Sequence, residues 1–217
     1  MEFVTGRSAK TEKRILILGE SHYDEDKEIA SEVGPYYTSE VLKCFLNARK
    51  HVYWHNFFKR IADSFGYKES RQDFYDKVYF GNYVTVFCGK NSDVAKKAIK
   101  ENRVEYNNRV FSFINDNKID VLVCFSKTVY YALPDANDGD QRFEPIIVSP
   151  ENIAQRRTIE KYLYKEGVRH RGCEEILEKP LLVYGVNHPS GSYGFSADEI
   201  YDAFKKEEAF AELIKPN

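Results

Sequence analysis

The chain has few cysteines, no long apolar run and no net positive charge, and each lack excludes a class of protein. Its four cysteines, Cys44, Cys88, Cys124 and Cys173, stand far apart with no C-x-x-C pair. No signal peptide is recognisable either, so reduced thiols in a cytoplasmic protein are expected rather than a disulfide framework. No apolar run approaches the ~20 residues of a transmembrane helix, so no membrane partner is expected. There is no internal repeat and no Pro/Gly/Ser-rich linker, and the 217 residues read as one domain spanning 1–217. A formal charge of −2 gives no global attraction to nucleic acid or to anionic membranes. Only a local basic patch would supply one.

What is present fits a folded domain. Hydrophobic residues make up 42 % and charged residues 30 % of the chain, as in a soluble globular protein. Aromatic residues reach 15 %, with 16 Tyr and 15 Phe. So many rings suit a packed core, and also a site that stacks on flat ligands.

The stretch Arg14-Ile-Leu-Ile-Leu-Gly-Glu-Ser-His-Tyr23 organises the rest. Its four aliphatic residues, Ile15 to Leu18, are too few for a helix and suit a strand buried on both faces. The run stops at Gly19 and turns polar at once. In an open α/β sheet, ligands bind just beyond the carboxyl ends of the strands. Further strands are expected at 79–87, 119–125 and 181–186. Helices are expected from Thr38 or Ser39 to about 50, over 53–65 with Gly66 as the stop, at 70–77, from Ser92 to about 115, over 127–133, and after Ser196. The stretch 151–177 also reads as helix, carrying the basic run Arg156, Arg157, Lys161, Lys165, Arg169, His170 and Arg171. That run is either a solvated helix face or a DNA groove. The aromatics near 53–58 and 74–80 are assigned to the core. Strands alternating with helices predict an α/β domain with a mainly parallel sheet.

Four strand ends then line up as one edge: Gly19-Glu20, Asn82, Ser126 and His188. The segments L-G-E-S-H-Y, V-Y-F-G-N-Y-V-T-V-F-C-G-K-N, V-L-V-C-F-S-K-T-V-Y-Y-A-L and V-N-H-P-S-G follow in that order. In this the chain resembles the uracil-DNA glycosylase superfamily, over about residues 14 to 195. That family has a Gly-led first motif, a base-binding Asn on a middle strand and a last strand ending in H-P-S; G-P-Y-Y is similar to its aromatic loop. The resemblance implies a three-layer α/β/α sandwich with a central, mainly parallel sheet of about four strands. It implies excision of a deaminated base, uracil or similar, from DNA that is single-stranded or damaged.

Carried over residue by residue, the resemblance implies a role for each position. His188 would hydrogen-bond the base oxygen on which negative charge develops. Asn82 would pair with the edge of a flipped-out base, with Tyr36 or Tyr37 stacked on it and Tyr23 crowding the pyrimidine methyl position. Glu20, or else Asp24, would orient water or balance the cationic sugar. Ser190 would hold a phosphate, and Tyr193 or Phe195 would wedge into the gap left by flipping. Ser21, His22 and Ser126 complete the substrate-binding edge.

The chain departs from the pattern at two places: Ser21 stands where one branch has a water-activating Asp, and His22 replaces its Pro. The branch that carries an iron–sulfur cluster needs an N-terminal cysteine pair that this chain lacks, so no cofactor and no metal is expected. Two other readings stay open. One is a non-catalytic nucleic-acid or nucleotide binder of the same fold. The other is a small-molecule hydrolase using the Glu20-Ser21-His22 loop, with Ser21 as nucleophile. A monomer is expected in every case.

Overall fold

The aliphatic run becomes β1 (Ile15–Gly19), and all five of its residues are buried. The computed structural model describes residues 3, 12–23, 27–34, 36–50, 52–89, 92–148, 157–189 and 195–215. β1 is flanked on both sides by parallel strands, β2 (Tyr79–Asn82) and β3 (Val121–Cys124), and β3 in turn pairs in parallel with β7 (Leu181–Gly185). Side chains alternate across this sheet, as a period of two requires. Leu16, Leu18, Leu122, Cys124 and Val183 face the helices α4 (Ser92–Asn117) and α5 (Lys127–Ala132). Ile15, Ile17, Val121, Val123 and Tyr184 face α1 (Tyr37–Leu46), α2 (His55–Asp63), α3 (Arg71–Tyr75) and α6 (Ala197–Phe204). Each such side chain contributes about 1.5–3 kcal/mol on burial. Apolar runs with no polar face are what a sheet covered on both sides demands.

The sheet is larger than the four strands expected, and it is mixed. The described residues form seven strands in the order β2-β1-β3-β7-β6-β4, with β5 (Ile146–Ile147) also paired to β6. β6 (Thr158–Tyr164) and β4 (Gln141–Arg142) add an antiparallel extension to the parallel core. β6 lies where a helix was expected. The sequence Thr-Ile-Glu-Lys-Tyr-Leu-Tyr is rich in β-branched and aromatic residues, and Ile159, Tyr162 and Tyr164 are buried. Two of the charges that suggested a helix face are instead matched across the fold, Lys161 to Glu207 at 2.6 Å and Arg157 to Glu199 at 2.9 Å, while Arg156 lies outside the described residues. Asp140 anchors the extension, accepting from the Tyr162 hydroxyl at 2.8 Å and from His170 Nε2 at 3.0 Å.

The remaining elements follow local rules. Gly66 stops α2 at φ +86°, a conformation that other residues rarely adopt. Ser126 and Ser196 cap α5 and α6 through their hydroxyls, which accept from Val129 N and Glu199 N. The expected strand 79–87 is shorter, ending at Asn82. The chain beyond it meets the segment after β1 in isolated bridges, His22 with Phe87 and Glu32 with Val86. No helix among the described residues is long and apolar enough to cross a membrane.

Candidate functional site

In the register of the sheet, Gly19 lies beside Asn82, Leu18 beside Cys124, and Cys124 beside Gly185. The residues that follow these positions therefore emerge together at one edge. The backbone there is held tightly: Tyr83 N–H donates to Gly19 O and Val84 N–H to Glu20 O, each at 2.9 Å. On the far side, the Arg109 guanidinium of α4 donates to the carbonyls of Asn82 and Tyr83.

Glu20 is only 8 % exposed. Ser126 Oγ donates to its Oε2 at 2.5 Å, and the Tyr23 hydroxyl donates to its Oε1 at 2.8 Å. The same Ser126 oxygen caps α5, so that helix positions the acid's partner. Tyr23 thus serves the carboxylate rather than standing apart from it; burial and the charge of Glu20 both raise its phenol pKa. His188, just beyond β7, is close enough to Glu20 to feel its charge. Burial lowers the imidazole pKa and the carboxylate partly restores it. A pKa below the ordinary 6.5 leaves the ring mainly neutral at neutral pH.

Asn82 is 5 % exposed. Its Nδ2 donates to His22 Nε2 at 3.1 Å, and the Thr38 hydroxyl of α1 meets the same nitrogen at 3.2 Å. Asn82 Oδ1 is buried without a hydrogen-bond partner. It lies over Gly19, where a methyl group on that residue would come within 2.2 Å of it. The same point is 3.1 Å from the ring edge of Phe57 in α2. Phe57 also packs on the His188 ring, with centroids 5.2 Å apart. An acid, a neutral imidazole, an unpaired amide oxygen and an aromatic ring thus surround a residue with no side chain. These groups complement those of a flat molecule with an N–H donor and an oxygen acceptor.

The other expected residues fall as follows. Tyr37 stands edge-on to His22 and to Phe87, at 5.2 and 4.8 Å, whereas Tyr36 is exposed on the surface. Ser21 Oγ is buried near Tyr23 and Cys88 and is hydrogen-bonded to neither histidine. Phe195 packs on Phe125 at the margin of the core, 6.2 Å between centroids. Asp24, Ser190 and Tyr193 lie outside the described residues. Phe57 and Thr38 were missed in the sequence. Phe57 sits in an aromatic run assigned to the core, and Thr38 reads only as a cap.

Burial pushes the Cys88, Cys124 and Cys173 thiols up, Cys173 to about 11, so none of them supplies a thiolate at neutral pH. Among the described residues, no three His, Cys, Asp or Glu side chains come together as a metal site. Two open grooves, of about 410 and 460 Å³, flank Val104 and Glu174, and no residue of the sheet edge lines either one. No family model matches the chain, and no curated protein sequence matches it.

Proposed function

We propose that the chain is a hydrolase of the uracil-DNA glycosylase kind, a three-layer α/β/α domain that excises a deaminated base from DNA. The observation that carries the reading is the meeting of Glu20, Asn82 and His188 around Gly19. Cleaving the N-glycosidic bond sends its electron pair to the base and leaves a cationic sugar; water then supplies hydroxide to C1′ and a proton to the base. Each charge needs a partner. Neutral His188 donates its N–H to the base oxygen as negative charge grows there. Glu20, oriented by Ser126 and Tyr23, balances the sugar cation or orients the water. Asn82 Oδ1 accepts from a ring N–H, which uracil and hypoxanthine present and cytosine and adenine do not. The ring of Phe57 supports the base.

The test is base release from uracil- and hypoxanthine-containing oligonucleotides, single- and double-stranded, with His188→Ala and Asn82→Ala as controls. Release that both variants abolish supports the reading, and no release from any deaminated base sinks it. A second reading has its own observation. Both Glu20 oxygens are engaged by hydroxyls, and Ser21 stands where an acid is expected, which suits a binder that keeps the pocket without turnover. It predicts base-dependent binding unchanged by Glu20→Gln. A serine hydrolase is disfavoured, because Ser21 has no hydrogen bond to a general base.

A further inference from the structure

From residue 41 to residue 62 the chain has no acidic side chain and five cationic ones, Lys43, Arg49, Lys50, Lys59 and Arg60, in a protein whose formal charge is −2. Two of the five are engaged, Lys59 with Asp63 and Arg60 with the Pro189 carbonyl. Arg49 and Lys50 are exposed in the α1–α2 loop and form no ion pair among the described residues. Beside them stand Tyr53 and Trp54, 78 % and 42 % exposed. Exposed rings offer faces on which flat groups can stack.

The loop is tied to the site by the turn that enters α2. Bonds from His55 N to Val52 O, Asn56 N to Tyr53 O and Phe57 N to Trp54 O, each spanning three residues, wind the chain into the helix. Tyr53 and Trp54 stand in the turn that leads into α2, four and three residues ahead of Phe57, the ring that packs on His188. Trp54 is already ordered, at right angles to His55 and to Phe58. Cations beside exposed rings match the chemistry of an unpaired strand: phosphates meet the charges and unstacked bases cover the rings. A duplex hides its base faces and offers nothing for the rings to cover.

We infer that Arg49, Lys50, Tyr53 and Trp54 form a landing platform for single-stranded DNA leading to the Glu20–His188 pocket. The choice of DNA rests on the function proposed above. Trp54 is the one tryptophan of the chain, so a stacking base reports itself by quenching the intrinsic fluorescence. The experiment titrates the full chain with oligothymidylate, which carries no deaminated base, and with a duplex and an oligouridylate of equal length.

The platform predicts quenching by the deoxy strand, with affinity falling on the order of tenfold in Tyr53→Ala. In Arg49→Gln/Lys50→Gln the slope of log affinity against log salt falls by about 1.4, from ~0.7 for each of two phosphates. The inference is overturned if the strand fails to quench, if the duplex or the ribo strand binds better, or if the platform variants leave affinity and slope unchanged. Quenching without base release removes the glycosylase reading alone. Base release with an unaltered KM in the platform variants removes the platform alone.

Discussion

Gly19→Ala tests the packing of Asn82 and Phe57 over the sheet edge. The backbone there is not in the left-handed region, so alanine is locally acceptable and even limits the unfolded chain, a gain of about 0.4–1 kcal/mol. The obstacle is through space. The new methyl would lie 2.2 Å from Asn82 Oδ1 and 3.1 Å from Phe57 Cζ. Asn82 must move by roughly 1 Å to restore van der Waals contact, and that shift breaks its 3.1 Å bond to His22. A lost hydrogen bond costs about 1 kcal/mol, and a forced rotamer a further ~0.5–1.5 kcal/mol. The net expectation is a destabilisation of about 1–2 kcal/mol, or a Tm lower by about 3–6 °C in a chain of this size. Under the function proposed above, base release should fall at least tenfold, on the order of 1.4 kcal/mol of transition-state stabilisation. The decisive assay is a double-mutant cycle in chemical denaturation. With Asn82→Ala the amide is gone, and Gly19→Ala should become nearly neutral, a coupling of ~1 kcal/mol or more. An equal cost of Gly19→Ala in both backgrounds would refute the placement of Asn82 Oδ1 over Gly19.

Other perturbations reach the same edge from different sides. Ser126→Ala removes the cap of α5 and the hydroxyl on Glu20 together, and should cost about 0.5–2 kcal/mol; Ser126→Thr, which keeps the hydroxyl, should recover most of this, and equal losses would contradict it. His22→Phe keeps a ring against Tyr37 but leaves the Asn82 N–H unpaired. It should cost about 1–3 kcal/mol and weaken discrimination between uracil and cytosine, checked by competition binding. Burial, partly opposed by Glu20, holds His188 below its ordinary value of 6.5. As pH falls through 6.5 the unfolded chain takes up this proton before the folded one. Stability therefore rises with pH across the window between the folded value and 6.5, and this group's contribution is flat on either side of it. His188→Gln should flatten that part of the profile, and Glu20→Gln should lower the His188 titration further by NMR; an upward shift would contradict the proximity of the two groups. Asp140 is held below its usual range: burial raises it, but hydrogen bonds from Lys165 N, His170, Asn137 N and Tyr162 outweigh that. Its contribution is present above the ordinary carboxylate value and lost as pH falls through the folded value. Asp140→Asn should remove that acid sensitivity, measured by denaturation from about pH 5 down to about pH 2.

Much of this was legible in the residue order, because it depends on neighbours a few positions apart. Unbroken aliphatic runs such as Ile15–Leu18 and Val121–Val123 indicate strands buried on both faces, since a one-sided sheet would alternate. Ser126 and Ser196 announce helix starts because a cap bonds only three residues onward. Polar residues directly after those runs, Glu20, Ser126 and His188, mark one edge of a parallel sheet. Where charge and strand propensity competed, as in Thr158–Tyr164, the sequence favoured a helix and only the fold decided. Lys161 and Arg157 find their acids more than 40 positions away, and the buried face of β6 exists only because β7 lies beside it. The same limit applied at the pocket. Ser126 meets Glu20 across 106 positions, and Asn82 meets His22 across 60. Local pattern carries the spacing of residues along one element, whereas the pairing of side chains from different elements is set by how the sheet and helices pack. The sequence alone therefore determined the parallel core and the polar edge above Gly19. The tertiary structure decided that His22 holds the Asn82 amide, that two hydroxyls hold Glu20, and that Phe57 closes on His188.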